Sequence, residues 1–399
     1  MASLRMNRIT LVTLIGLLTI LSSPLDAEIE RNSLVGVEDL RAFADAWGYI
    51  KDHYVEAVDD RRLLEAAIRG MLAELDEHSS WLAPEQLRVV EEQATGRYGG
   101  LGIRIAVNQD HLQVVSAMGD SPAGRAGLMP GDRIVAIDHT QVTEDNANEA
   151  VEWLRGAPGT LIALTIEREG QGGSLEMSLT REIIRRSSVS LQILEGELVH
   201  LSIQQFQQST ATELDEAIAD ALEHLGALNG LILDLRDNPG GMLQAAVAVS
   251  DRFLSDKLVV YADGRGKSEA LRFTSNPGEV LPGVPLVVLV NRSSASAAEI
   301  LAGALQDHER AVILGEETFG KGSVQTIWPL RNGAGMRLTT SHYHTPSGRM
   351  IQSGGIVPDV LSGSLLSPAD ASADDALLAE AVLLLRSAER LHRLSRAEP

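Results

Sequence analysis

The sequence contains no cysteine, which excludes disulfides, a thiolate nucleophile and any cysteine-ligated metal. Lysine is almost as scarce, with Lys51, Lys257, Lys267 and Lys321 the whole set in 399 residues. Aromatic residues make up 4% of the chain, and acidic residues outnumber basic ones by 55 to 34, for a formal charge of −21. A surface of that sign repels nucleic acid and anionic lipid, so nucleic acid is not expected as a partner. Long apolar runs are missing too, with one exception. Ile9 to Leu21 is free of charge, follows Arg5 and Arg8, and leads into "SSPLDAE" with Ala27 at a plausible cleavage position. This is the layout of a signal peptide over residues 1–27, and it is short for a membrane span of ~20 residues. The expectation is an exported, periplasmic or otherwise extracytoplasmic protein, tethered to the membrane if the segment stays uncut.

What is present is enough apolar material, 44% of residues, to build a core without cross-links. Residues 28–97 read as a helical region, because "VEDLRAFADAWGYIKDHYV" and "DRRLLEAAIRGMLAELD" carry apolar residues at three- and four-residue spacing. Residues 98–184 change to short β runs ("GGLGIRIAV", "HLQVVSAM", "DRIVAIDHTQV", "LIALTIEREG", "LEMSLTREII") with two helical patches between them. From 185 to 363, near-continuous apolar strands such as "GLILDLRD" and "PLVVLVN" alternate with amphipathic helices. That alternation predicts an α/β core with a mostly parallel sheet covered by helices. Residues 364–399 end in one more helix.

Residues 315–321, "GEETFGK", match a nucleotide-binding loop at seven of eight positions. The eighth should be Ser or Thr, followed by a helix whose N-terminus faces the phosphates. Here Gly322 follows, and then the strand-like "SVQTIWPL". Nucleotide binding is therefore not expected. "GGLGIRIAV" likewise lacks the third glycine and the helix of a dinucleotide site.

A serine cluster lies in "LVVLVNRSSASAAEILAGALQD", where a buried strand turns into a helix of small residues. Ser293, Ser294 and Ser296 can each be read as a helix cap or as a nucleophile raised at the carboxyl end of a strand beside a helix N-terminus. A nucleophilic serine needs a base. His308 looks solvated at a helix end, whereas His342 and His344 share one strand face and leave a histidine base open. The other choice is a lysine made neutral by desolvation. Among the four lysines, Lys321 is best placed for that, glycine-flanked among apolar strands.

"SASAAEILAGALQDHERAVILGEETFGKGSVQ" resembles the active-site segment of the C-terminal processing (tail-specific) serine peptidases that carry a PDZ domain. The likeness extends to "LDEHSSWL", "SPAGRAGLMPGDRIVAIDH", "GLILDLRDNPGGML" and "YHTPSGRMIQSGGIVPDV". It implies a ClpP/crotonase-like α/β core with an inserted PDZ domain. It also implies Ser296 as nucleophile, Lys321 as general base and Gln325, at period two along one strand face, as the group orienting the amine. The amide of Ala297, with one from Gly240 or Gly241, is the implied oxyanion hole. Asp307 matches a family aspartate and is read as structural. Gly100, Leu101, Gly102 and Ile103 match the carboxylate loop and strand edge of the PDZ groove, where an extended chain adds as a strand. Arg155 occupies the position of an arginine that links a filled groove to the active site.

The implied activity is that of a serine endopeptidase acting on proteins or peptides with apolar C-termini, without a metal or organic cofactor. An adaptor or activator protein and a homo-oligomer through the N- or C-terminal helices are the remaining partner expectations. A catalytically silent PDZ scaffold and a serine–histidine hydrolase using His342 or His344 are the alternatives.

Overall fold

The computed structural model describes residues 36–265, 271–365 and 375–397. The expected signal segment lies outside them. The chain divides into two compact units, residues 1–67 and 68–399. The first is described here by helix α1 (Val37–His53), which has no buried residue, and by the start of α2 (Asp60–Ala73).

In the second unit, "SSWL" forms a short strand, β1 (Ser80–Leu82), inside the stretch expected to be helical. Trp81 and Leu82 are buried and β1 pairs with a distant strand, so tertiary pairing overrides the local helical pattern. Helix α3 (Pro84–Thr95) then ends on Gly96 in the left-handed conformation.

The module that follows comprises β2 (Arg97–Gly100), β3 (Ile103–Val107), β4 (Leu112–Ala117), α4 (Pro122–Arg125), β5 (Arg133–Ile137), β6 (Thr140–Gln141), α5 (Ala147–Trp153), β7 (Leu161–Glu167), β8 (Ser174–Thr180) and β9 (Glu182–Arg185). One antiparallel sheet in the order β3-β4-β5-β7-β8 folds over a core that includes Leu112, Ile134, Ile162 and Ile166. β2 and β9 pair with each other as a two-stranded neck, so the chain enters and leaves the module side by side. The run "LEMSLTREII", read as one strand, breaks at Arg181. Its buried guanidinium bonds the carbonyls of Trp153, Leu154 and Leu161 and the Thr160 hydroxyl.

The remaining elements are β10 (Val189–Leu194), β11 (Leu198–Ile203), α6 (Thr210–Leu225), β12 (Gly230–Asp234), α7 (Leu243–Ser250), β13 (Leu258–Asp263), β14 (Leu271–Thr274), β15 (Leu286–Val290), α8 (Ala297–Asp307), β16 (Val312–Gly315), β17 (Ser323–Pro329), β18 (Gly335–His344), β19 (Val360–Leu361) and α9 (Ala376–Ala397). Six strands form a sheet ordered β10-β11-β12-β15-β16-β19. β10 and β11 pair antiparallel; the other four pairings are parallel.

β12 and β15 are buried at every position because both faces are covered. Leu231, Leu233, Val288 and Val290 pack with α6, α7 and α8, while Ile232, Val287 and Leu289 pack with Ala381 and Leu385 of α9. A second, antiparallel sheet runs β1-β18-β13-β14, with β17 also on β18.

Because α9 covers one sheet face, Leu385→Ala is expected to lower stability by about 2–4 kcal/mol, read as a shift of the urea unfolding midpoint. An unchanged midpoint would show that α9 does not seal that face.

Candidate active site

Val290 ends the all-buried strand β15, and the chain turns over Asn291–Ala295 before α8 begins. The three serines of that turn divide the work. Ser294 is fully buried; its hydroxyl donates to the Leu235 carbonyl (2.8 Å) and accepts from the Asn291 N–H (3.0 Å), fixing the turn. Ser293 is exposed. Ser296 is half-buried and held at φ 56°, ψ −112°, a conformation costly for a side-chain-bearing residue. Its hydroxyl makes no capping bond to the helix.

The capping anion is Glu299, which sequence reasoning missed. Its side chain is fully buried in the first turn of α8. Oε2 accepts the backbone N–H of Ser296 (2.7 Å) and of Lys321 (2.9 Å). Oε1 accepts the Thr318 hydroxyl (2.6 Å) and the Gly320 N–H (2.7 Å). A single oxygen thus pins the backbones of Ser296 and Lys321 together. Burial pushes the Glu299 carboxyl above its usual range, against the pull of these four donors. The signal for it was available in sequence: a glutamate three residues after a serine at a helix start.

Lys321 lies in the segment between β16 and β17, which does not form a helix. Gly322 beside it has no room for a side chain, since a Cβ there would come within 2.2 Å of the Gln352 nitrogen. Burial, and then the nearby Arg337 charge, pull the Lys321 pKa below that of a free lysine; Glu299 acts in the opposite direction. That is the environment a basic amine needs.

Gly240, at φ 100°, lies directly under the serine: a Cβ added there would meet Ser296 Cβ at 2.8 Å and the Ala297 nitrogen at 3.0 Å. The two glycines differ, however. The Gly240 N–H donates to the Asn238 side chain (2.8 Å), while its carbonyl accepts from Phe206. Neither the Gly241 N–H nor that of Ala297 has an acceptor among the described residues. Asn238 itself is fully buried and is bonded also to the Ile203 carbonyl and the Ala295 N–H. Sequence reasoning left the two glycines equal and did not single out Asn238.

Gln325 departs from the expected spacing. Lys321 precedes β17, and the pairing of β17 with β18 slips between Val324 and Gln325, so a simple period of two does not join them. The Gln325 amide nitrogen donates to Ser323 (2.8 Å) and Thr339 (3.4 Å).

The histidines are engaged elsewhere. His308, expected to be solvated, is half-buried with its ring bonded to the Leu258 carbonyl (2.7 Å). His344 stacks on Tyr261 at 4.8 Å and contacts Asp263. His342 is exposed. Asp307, at the end of α8, accepts the Ser347 N–H (2.8 Å) and pairs with Arg349, anchoring the turn after β18. Burial raises its carboxyl, but bonds from Thr345 and Ser347 and the Arg349 charge bring it below the usual range.

In the inserted module, the loop Leu101–Gly102 opens onto β3, and neither N–H in that loop has an acceptor among the described residues. With Ile103 and Ile105 on one side and Val151 and Leu154 near α5 on the other, it borders a cleft of about 730 Å³. Gly100 ends β2 at its base. Arg155 also lines this cleft, its guanidinium 5.5 Å from the centre of the Tyr98 ring.

The sequence matches known proteins. Residues 197–362 match Peptidase family S41, residues 113–168 a PDZ domain, and residues 22–84 the Activating protease CtpB N-terminal domain. The carboxy-terminal-processing protease of Bartonella bacilliformis is 42% identical over 81% of this chain and 75% of its own length. The chain belongs to peptidase family S41. Two further members are a carboxyl-terminal-processing protease of Synechocystis (38% identical, over 83% and 80% of the two chains) and CtpA of Bacillus subtilis (35%, over 79% and 67%). The protein is a peptidase carrying a PDZ domain.

For this S41 peptidase, Glu299→Gln keeps the size of the side chain but turns one of the two acceptor oxygens, each holding two donors that join the start of α8 to the Thr318–Lys321 segment, into a donor NH2. Peptidase kcat is expected to fall by about a hundredfold, the usual cost of a small misplacement, with KM little changed. A wild-type kcat would contradict the assigned role.

Proposed function

We propose that the protein is an exported endopeptidase that captures the C-terminal tails of protein substrates in its PDZ groove and hydrolyses them with Ser296 and Lys321. The single observation that carries this reading is the shared Glu299 carboxylate, which binds both backbones at the place where a strained serine heads a helix. The neutral Lys321 amine takes the proton from Ser296 Oγ as the oxygen attacks the scissile carbonyl. The same amine then returns the proton to the leaving amine, and an acyl-enzyme remains for water to cleave. The N–H groups of Ala297 and Gly241 stabilise the oxyanion, with Asn238 holding Gly240 out of that role. Gln325 orients the lysine through its amide oxygen, which has no hydrogen-bond partner among the described residues. The core is then of the ClpP/crotonase-like kind, with α8 directing its positive end at the oxyanion.

Two features favour lysine over histidine as base: the lowered pKa of Lys321, and the engagement of His344 with Tyr261 and Asp263. The silent-scaffold alternative finds no support in a site whose every named residue is present. Export rests on the residue pattern of the first 27 positions.

The test uses purified protein and an unfolded substrate with an apolar tail. Ser296→Ala and Lys321→Ala are each expected to reduce kcat by at least about a thousandfold, and His342→Ala and His344→Ala to leave most activity. A Lys321→Ala enzyme of near-normal rate would overturn the dyad. The pH dependence has a definite sign. Only the neutral amine accepts a proton, so kcat/KM rises with pH through the Lys321 pKa, and burial puts that rise below the ordinary lysine range. A rate that falls as pH rises from neutrality would contradict it.

A further inference from the structure

The groove carries the wrong charge for this protein. In a chain of formal charge −21, three arginines, Arg104, Arg155 and Arg186, line the same cleft. Among its described lining residues there is one carboxylate, Glu92, and that is already bonded to Arg88 at 2.5 Å. Arg104 and Arg186 are exposed and form no ion pair among the described residues. Among the described residues Arg155 meets Glu152, at 3.7 Å, and the Tyr98 face. Holding like charges around one concavity is unfavourable unless something negative fills it. A single C-terminal carboxylate at the Leu101–Gly102 loop leaves most of that charge unanswered.

We propose that the preferred substrates end in an apolar residue but carry acidic side chains just before it. This rests on the tail-capture reading above and specifies its substrate class. A tail added alongside β3 alternates its side chains. The last and third-last residues face Ile103, Ile105 and α5, where apolar groups fit. The second-last and fourth-last residues face outward, beside Arg104, whose cross-strand neighbour is the uncharged Ser116. At the neck, beside the loop end of the same cleft, Arg186 and Arg155 flank Tyr98. The floor there is polar, built by Gln204, Gln205 and Gln207. The buried Oε1 of Gln207 has no hydrogen-bond partner and lies against Gly96, itself on the cleft wall. The arginine set therefore selects for anionic tails and against basic ones, and its screening makes that selection salt-dependent.

The experiment measures fluorescence anisotropy of labelled ten-residue peptides on the full-length Ser296→Ala protein. The peptides are identical except for Glu, Gln or Lys at the second-last position; a fourth is the Gln peptide with an amidated end. The Glu peptide is expected to bind about two- to fivefold more tightly than the Gln peptide at low salt, as for an exposed ion pair, and the Lys peptide more weakly than either. The ratio should collapse in Arg104→Gln/Arg186→Gln and persist in Arg104→Lys/Arg186→Lys, which also controls for folding. Equal affinity for the Glu, Gln and Lys peptides, or a Glu preference that survives the double Gln change, overturns the acidic-tail proposal alone. Equal binding of the free-acid and amidated Gln peptides, or no binding of any free-acid peptide, overturns tail capture itself and the proposal with it.

Discussion

A buried carboxylate is tolerated only when its oxygens are satisfied, and the Glu299 side chain is satisfied by backbone on both sides of the proposed dyad. Its four donors come from the start of α8 and from the Thr318–Lys321 segment, two stretches far apart in sequence. Moving either stretch would strand a charge or an N–H in the core, each a costly outcome. The strained backbone of Ser296 is paid for here, and the same bonds set where the lysine begins. Ser294, Asn238 and Asp307 secure the surrounding turns in the same way, each by bonding backbone groups that a helix or strand end leaves unpaired.

The two halves of the proposed function meet along one short piece of chain. Phe206 exchanges backbone hydrogen bonds with Gly240 and Met242, the residues that flank Gly241. Its neighbours Gln205 and Gln207 line the groove of the inserted module. Gln208 in turn donates to the Ala94 carbonyl at the end of α3. The tail-binding cleft and the glycines under Ser296 are therefore built on consecutive residues. The paired β2 and β9 strands fix where the module joins.

Much of this was legible because the chemistry is carried by rare residues. With four lysines and no cysteine, the choice of base narrowed quickly, and the apolar runs of β12 and β15 declared a sheet covered on both faces. What sequence could not show were relations between distant residues. "SSWL" looked helical because its partner, Gly335–Arg337, lies more than 250 positions away. His308 looked solvated because the Leu258 carbonyl that fills its ring nitrogen belongs to another strand. The spacing of Lys321 and Gln325 suggested one strand face, but a register slip at Val324 is set by β18 rather than by local pattern. Glu299 lay in plain view as a helix-start glutamate, yet its reach to Thr318 and Gly320 is a property of the fold.

The central claim is that burial lowers the pKa of the Lys321 amine below the ordinary lysine range, so that it can act as the base for Ser296. Four lysines make a direct reading practical: protein labelled with carbon-13 at lysine Cε gives one signal per side chain, and loss of one signal in Lys321→Arg assigns it. Titration of that signal should show a midpoint below the ordinary lysine range, moving back toward it when Arg337 is replaced and burial is relieved by unfolding. A Lys321 signal that titrates in the ordinary lysine range in the folded enzyme would contradict the account.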